Sequence, residues 1–307
     1  MQKAAHIIFL IIKYKAALFP RGISLFFGRF LGLLFFLLDK RHRNVALKNV
    51  TIAFGHSLSL AERKKIARGS FIHFGQVLMD LIKCTTFSPK KRDALLTVRG
   101  GEHLEDALSK GKGALICAAH YGNWEMGISG LARFGKVDVI ARALDNRYIE
   151  RELLAFRASS GAKIIYKNQA ARETLRALKD NRIVAILIDQ NVLPEQAIFV
   201  KFFGKTAATT PALATFHLRT EAPIIPAFCY PTPANTYLLQ LFEPLQVTLS
   251  GNHERDVATI TQACTTIIED RIRHTPLYWL WFHDRWRSRP ELPVESGKHC
   301  QNPGERQ

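Results

Sequence analysis

Alternation of short apolar runs with helical stretches dominates the chain from residue 97 onward. The apolar runs are four to six residues long and mostly unbroken, which is typical of strands covered on both faces. Together with the helical stretches between them, they predict an α/β fold with a mainly parallel central sheet flanked by helices. The predicted strands lie at 114–117, 137–140, 163–166, 183–188, 223–228 and 237–242.

The segment at 4–38 has a different character, because it is dense in Leu, Ile and Phe. Four cations interrupt it, so no uncharged run reaches the roughly 18 residues of a plain spanning helix. No small-residue cleavage site follows, which argues against a removable signal peptide. Cations spaced along an apolar helix favour the boundary of an anionic membrane. Burial of a helical pair within the fold and a tilted single span remain open as alternatives.

These patterns divide the chain into three parts. Residues 1–40 form an apolar, helical, membrane-associating segment, 41–290 an α/β domain, and 291–307 a polar C-terminal tail. A basic turn at 40–43 follows the first segment. A helix with one apolar face is then predicted at 60–84, with Ser59 and Glu62 spaced as a capping box.

The charge balance favours an anionic partner. The 43 Lys and Arg residues outnumber the 26 Asp and Glu residues, which gives a net charge of +17. Nucleic acid, an acidic membrane, a phosphorylated substrate and an acidic carrier protein all fit such an excess. No nucleic-acid-binding motif accompanies the charge, so we do not expect a nucleic acid partner. The five cysteines are dispersed and odd in number, which argues against a disulfide framework and favours a reducing compartment.

Polar side chains follow three of the predicted strands. The carboxyl ends of parallel strands meet at one edge of a sheet, so we expect these residues to converge in one crevice. The residues concerned are His120 and Glu125, then Arg142 and Asn146, then Asp189, Gln190 and Asn191.

The H-x4-E spacing of His120 and Glu125 is suited to general-base chemistry. A carboxylate on one imidazole nitrogen fixes the tautomer and leaves the other nitrogen free to take a proton. A helix-capping His with a solvated Glu is the alternative interpretation. The spacing lacks the His pair of a helical zinc site, so we expect no metal. Cys117, three residues earlier, is interpreted as a buried strand residue rather than a nucleophile.

Four blocks resemble one family. The segment GKGALICAAHYGNWE is similar to the H-x4-D/E region of the lipid A biosynthesis acyltransferases, the lauroyl/myristoyl-type late acyltransferases within the glycerophosphate acyltransferase-like superfamily. ARALDNRYIERELLAFRASSGAKII, AILIDQNVLPEQAIFVKFFGKTAATTPALA and PLYWLWFHDRWRSRP resemble later blocks in the expected order. The resemblance covers roughly 20–290. Glu195–Ile198 departs from it, since a Gly before the Phe-Val run is common in the family.

The resemblance implies acyl transfer from acyl carrier protein to a hydroxyl of a Kdo-bearing lipid A precursor, at the cytoplasmic face of a bacterial inner membrane. It implies no cofactor. The expected partners are acyl carrier protein, the glycolipid and anionic membrane lipids. His120 would be the general base, oriented by Glu125, and Arg157, then Arg142, would stabilise the oxyanion. The expected substrate-binding residues are Arg142, Asn146, Asp189, Gln190 and Asn191.

Other interpretations stay open at this point. The chain also fits an acyltransferase for phosphatidylinositol mannosides or a lysophospholipid. A non-catalytic, basic scaffold at the membrane surface is a further alternative, although it would not need polar residues at the strand ends. Phe202 and Phe203 fit either an acyl groove or an aromatic core. The aromatic and basic residues at 278–289 suit a membrane headgroup interface.

Overall fold

The fold is described from a computed structural model, which covers 2–166 and 169–290. The predicted tail at 291–307 lies outside the described residues. The helices are α1 (Gln2–Leu18), α2 (Arg21–Leu38), α3 (Lys40–Phe54), α4 (Leu60–Cys84), α5 (Pro89–Asp93), α6 (Gly101–Ser109), α7 (Trp124–Leu131), α8 (Arg147–Ser159), α9 (Ala170–Lys179), α10 (Ala212–Thr220) and α11 (His253–His274). The strands are β1 (Leu96–Arg99), β2 (Ala114–Ala118), β3 (Val137–Ala141), β4 (Ala162–Tyr166), β5 (Ile183–Leu187), β6 (Ile198–Phe202), β7 (Lys205–Thr209), β8 (Ile224–Pro231) and β9 (Tyr237–Leu241).

Seven of these strands form one sheet in the order β1-β9-β8-β2-β5-β3-β4. The five strands from β8 to β4 run parallel to one another, whereas β9 is antiparallel to β8 and β1 runs parallel to β9. The predicted α/β fold with a mainly parallel sheet is therefore confirmed. β6 and β7 form a separate antiparallel hairpin.

Buried clusters cover both faces of the sheet, which explains the unbroken apolar runs. Along β2, Leu115 and Cys117 belong to the cluster that contains residues of α3, α4, α10 and α11. The alternate residues Ala114 and Ile116 belong to a second cluster with residues of α6, α7 and α8. A central strand in this position has no solvent-facing side to carry polar residues.

Several elements differ from the prediction. The basic residues at 40–43 begin α3 instead of forming a turn, because Asp39 accepts a 2.9 Å hydrogen bond from His42 N and caps the helix. β1 and the β6–β7 hairpin were not predicted, since their alternating or small residues lack the apolar runs of the central strands. The Glu195–Ile198 region forms a single 3₁₀ turn at Pro194–Gln196 and then enters β6.

The composition of the aromatic C-terminal block suits a headgroup interface, but the structure places its tryptophans at 279–286 in the core. Trp279, Trp281 and Trp286 are buried, and Phe202 and Phe203 pack edge-on or stacked against them. Arg285 is buried among them and donates to the carbonyl of Ala208. The two Phe residues therefore belong to an aromatic core and not to a groove.

α2 lies against α4 along a seam of glycines. Gly28 and Gly32 of α2 face Gly75 of α4 so closely that a Cβ on Gly32 would lie 2.2 Å from the Phe71 carbonyl oxygen. Arg21, at the start of α2, forms a two-point ion pair with buried Asp80 of α4 (2.6 and 2.7 Å). Among the described helices, α2 is the one long and apolar enough to cross a membrane by length and composition.

Candidate functional site

His120 and Asp189 meet at the carboxyl edge of the sheet because β2 and β5 are neighbours in register. Ala118 pairs with Leu187, so the residues two positions further along each strand lie side by side. Asp189 Oδ1 is 2.9 Å from His120 Nδ1, and Asp189 Oδ2 accepts a 2.9 Å hydrogen bond from His120 N. The structure thus brings two of the predicted strand-end residues into direct contact.

Asp189 fixes the tautomer of His120. An ionised carboxylate has only acceptor atoms, so Nδ1 carries the proton and the lone pair is on Nε2. Gln190 Nε2 lies 3.3 Å from this nitrogen and is its hydrogen-bond donor. His120 and Gln190 both line one cavity, so a hydroxyl that entered there would compete with the Gln190 amide for His120 Nε2.

Asp189 stays ionised although only 4% of it is exposed. Burial is the strongest single influence and opposes ionisation. The charge and the hydrogen bonds of His120 act against burial, as does the indole N–H of Trp279, which donates to Asp189 Oδ2 at 2.8 Å. Together these groups hold the pKa of Asp189 below its ordinary value.

Glu125 was expected to orient His120, and the structure corrects this. Glu125 receives two hydrogen bonds from Arg157, at 3.0 Å from Nε and 2.5 Å from Nη2, and a third from Trp124 Nε1 at 3.2 Å. It lies in the first turn of α7, and its partner Arg157 lies in the last turn of α8. The carboxylate in contact with the imidazole of His120 is therefore that of Asp189.

The Glu125–Arg157 pair is a buried, two-point ion pair on the wall of the same cavity. Burial opposes the charge of Arg157, but the hydrogen bonds and charge of Glu125 outweigh it and keep the pKa of Arg157 above its ordinary value. Arg157 is therefore a permanent cation whose charge Glu125 balances.

The remaining predicted residues have separate positions. Arg142 is exposed at the cavity, where it pairs with Asp145 at 2.7 Å. Asn146 caps α8, since its Oδ1 accepts from Tyr148 N and Ile149 N. Asn191 lines the cavity and exchanges hydrogen bonds of 3.0 Å with Ser288. Substrate binding by these side chains stays a prediction.

The cavity has a volume of about 960 Å³, and its wall is mainly apolar. It extends from the polar edge of the sheet into the space between α7 and the sheet. A cavity of this size with few convergent polar groups is typical of a small-molecule or cofactor site. Its deep apolar residues are Ile116, Ile128, Leu131, Val139, Ala185, Ala227 and Leu239.

Cys117 lies just below this edge, and its thiol is fully buried. A hydrogen bond with Cys264 is the main influence, and with burial it raises the pKa of the Cys117 thiol well above its ordinary value. A thiol in this state is a poor nucleophile, which agrees with the interpretation of Cys117 as a strand residue.

Two residues outside the predicted set hold the site in place. Trp279 binds Asp189, as described above. His73 of α4 is buried, which lowers its pKa to about 4, and its neutral ring bonds to the carbonyl of Gly122 at 3.2 Å. Gly122 has a φ of +63°, and a Cβ there would lie 2.0 Å from the Cys229 carbonyl oxygen. No local sequence pattern connects either residue with the His120–Asp189 pair, hereafter the dyad, because both contacts join distant parts of the chain.

Comparison with known proteins connects this geometry with a family. Residues 2–288 match the family described as bacterial lipid A biosynthesis acyltransferase. The chain is 26% identical over 268 residues to lipid A biosynthesis lauroyltransferase of Escherichia coli K12, covering 85% of this chain and 84% of that protein. It is also 26% identical over 220 residues to phosphatidylinositol mannoside acyltransferase of Mycobacterium tuberculosis, covering 69% of this chain and 67% of that protein. Identity to the lipid A biosynthesis myristoyltransferase of Escherichia coli K12 is 22% over 258 residues, which cover 83% of this chain and 76% of that protein.

We predict that Glu125→Gln lowers the free energy of unfolding by about 3 kcal/mol, because it leaves the buried Arg157 cation without its counter-charge. The matched control is Glu173→Gln, which removes the carboxylate of the exposed Lys163–Glu173 pair and should cost under about 1 kcal/mol. Denaturant unfolding of both variants measures the difference. Equal losses would show that the Glu125–Arg157 pair contributes no more than a surface ion pair.

Proposed function

The chain belongs to the bacterial lipid A biosynthesis acyltransferase family and is therefore an acyltransferase, and we propose that His120 is its general base, oriented by Asp189. The observation that carries this proposal is that His120 lies on the wall of a mainly apolar cavity with the buried Asp189 carboxylate held against its Nδ1. A non-catalytic scaffold would not need a buried carboxylate held on an imidazole, since burial of such a charge is costly.

The proposed reaction is direct acyl transfer from a thioester. The acceptor hydroxyl displaces the Gln190 amide from His120 Nε2 and attacks the thioester carbonyl carbon while Nε2 takes the hydroxyl proton. The tetrahedral intermediate then collapses, and the departing sulfur takes this proton from His120 as the C–S bond breaks. The products are an ester and a free thiol, and the enzyme returns to its starting state. Asp189 stabilises the transient imidazolium and is not itself protonated.

Arg157 is our proposal for the group that stabilises the oxyanion. It is a cation on the cavity wall, and the two hydrogen bonds that it donates to Glu125 hold its planar guanidinium in one orientation. Glu125 thus acts through Arg157 rather than through His120, which gives the H-x4-E pair two separate tasks. Arg142, exposed at the cavity, is proposed to bind an anionic group of the acceptor.

For the substrates we propose acyl carrier protein as donor and a Kdo-bearing lipid A precursor as acceptor. The family and the relative named lipid A biosynthesis lauroyltransferase support a lipid A precursor. The net charge of +17 is suited to a phosphorylated glycolipid, an acidic carrier protein and an anionic membrane. The relative named for phosphatidylinositol mannosides supports a second candidate acceptor of similar chemistry, an anionic glycolipid.

We propose that α1 and α2 attach the enzyme to the cytoplasmic face of a bacterial inner membrane. Large apolar side chains of this pair face outward, with Leu18 82% exposed and Leu38 71% exposed. An exposed apolar surface of this extent marks an interaction site. The other exposed large apolar side chains in and between these two helices include Ile7, Ile11, Tyr14, Phe19, Phe26, Phe27, Phe30 and Leu37. The tight seam between α2 and α4 would hold the catalytic domain close to the lipid surface.

We predict that His120→Ala and Asp189→Asn each lower kcat by about 10²–10⁴-fold, since each removes general-base catalysis. The measurement is steady-state acyl transfer with purified, folded protein. Cys117→Ser is the control and should keep near-normal activity. A His120→Ala variant with more than about half of the activity would contradict the role of His120 as general base. A thioester trapped on Cys117 would contradict direct transfer.

We predict that Ala185→Leu shifts the preferred acyl chain to a shorter length, by about two carbons or more. Ala185 lies in the deep wall, paired in register with Ile116 and Val139, four residues and thus about 13 Å below Asp189. A leucine there would fill the deep end of the cavity. Mass spectrometry of products from mixed acyl donors measures the shift. Ala162→Leu, which fills a buried site on β4 outside the cavity wall, should leave chain length unchanged.

We predict that the Kdo-bearing lipid A precursor is acylated faster than a lysophospholipid or glycerol 3-phosphate, because it offers more anionic groups to this basic chain. The test compares these acceptors and a phosphatidylinositol mannoside with one acyl carrier protein donor. Faster turnover of the mannoside would support the second candidate. Faster turnover of the lysophospholipid or glycerol 3-phosphate would reject both glycolipids and leave the role of His120 unchanged.

A further inference from the structure

We propose that Trp279 is a positioning residue for the acyl transfer reaction, because its indole N–H fixes the carboxylate that orients His120. The proposal rests on the proposed function of the His120–Asp189 pair. It assigns a role to the C-terminal aromatic block, which the fold otherwise uses as core.

The contact itself is specific. Trp279 Nε1 donates to Asp189 Oδ2 at 2.8 Å, while Asp189 Oδ1 faces His120 Nδ1 at 2.9 Å. The backbone N–H of His120 also donates to Asp189 Oδ2, at 2.9 Å. With two donors on one oxygen and the imidazole on the other, the plane of the Asp189 carboxylate is set from both sides. Indole nitrogen is a donor only, so Trp279 cannot compete for the proton.

The backbone around Trp279 holds the other member of the dyad. Leu280 N donates to the His120 carbonyl at 3.2 Å, and Gly122 N donates to the Tyr278 carbonyl at 2.9 Å. Residues 278–280 therefore lie antiparallel to the turn that carries His120, with Tyr121 paired to Trp279. One short segment thus contacts both His120 and Asp189, which come from different strands.

Trp279 is itself held in place by aromatic packing and by a hydrogen bond from α4. It is 1% exposed. Its ring lies edge-on to those of Trp281 and Phe202, with ring centroids 4.6 Å and 5.6 Å apart. Its carbonyl accepts a 2.6 Å hydrogen bond from Ser70 Oγ of α4. A donor held in this way loses little freedom when it binds the carboxylate.

The expected chemical effect has a definite sign. The indole hydrogen bond reduces the proton affinity of Asp189 and spreads its negative charge. Without this bond, the dyad holds its proton more tightly, and His120 is protonated up to a higher pH. Since His120 must be neutral to act as base, the low-pH limb of kcat/KM should move to higher pH.

The test compares Trp279→Phe with Trp281→Phe. Both remove one buried indole N–H from the same cluster, but Trp281 Nε1 donates to the Pro276 carbonyl at 2.6 Å and not to the dyad. For Trp279→Phe we expect kcat to fall about 10–100-fold and the low-pH limb to rise by about half a pH unit or more. For Trp281→Phe we expect a loss of thermal stability and a pH limb at the wild-type position.

An unchanged pH limb in Trp279→Phe, or the same shift in Trp281→Phe, would overturn the proposal. His120→Ala in the same assay tests the proposed function separately, because that variant keeps its activity only if His120 is not the base.

If Trp279→Phe does not fold, the wild-type chain still provides a test. It has four tryptophans, so labelling the indole nitrogens with ¹⁵N gives four resolvable N–H signals. The Trp279 signal should titrate with the midpoint of the low-pH limb and shift in Asp189→Asn. A Trp279 signal that is insensitive to both would overturn the proposal.

Discussion

The register between β2 and β5 is the constraint on which the rest of the site depends. It places His120 and Asp189 at equal heights above the sheet edge, although 69 positions separate them in the chain. A slip of one residue would turn one side chain to the opposite face and break the pair. The buried clusters on both faces fix this register, because the residues of β2 and the first four residues of β5 alternate between the two clusters.

The site has two buried carboxylates, and their surroundings separate their roles. Asp189 is surrounded by two N–H donors and by the imidazole of His120. Glu125 faces a permanent cation, Arg157. A carboxylate on an imidazole can respond to proton transfer, whereas one in a two-point ion pair with Arg mainly holds its partner in place.

α4 connects the proposed membrane segment with the dyad. Gly75 and Asp80 of this helix meet α2, and Ser70 and His73 hold Trp279 and Gly122. The segment at 1–40 was predicted as a separate membrane-associating part. In the structure α2 shares a tight seam with the α/β domain, so this segment keeps a defined position relative to the cavity.

The sequence predicts the strands and their polar ends well, because central strands are apolar on both faces and ligands bind beyond their carboxyl ends. It does not predict which strands are neighbours. Glu125 was therefore chosen as the partner of His120 because it is near in the chain, whereas the order of the strands brings Asp189 instead. The composition around the tryptophans at 279–286 suits a membrane surface, yet long-range packing buries them.

The central claim is that His120 and Asp189 act as one unit. A double-mutant cycle of kcat/KM with His120→Ala, Asp189→Asn and the double variant tests it most directly. If Asp189 acts through His120, the double variant should be about as slow as His120→Ala alone. Losses that multiply, so that the double variant is slower by the product of the two single effects, would show that Asp189 acts independently and would contradict the account.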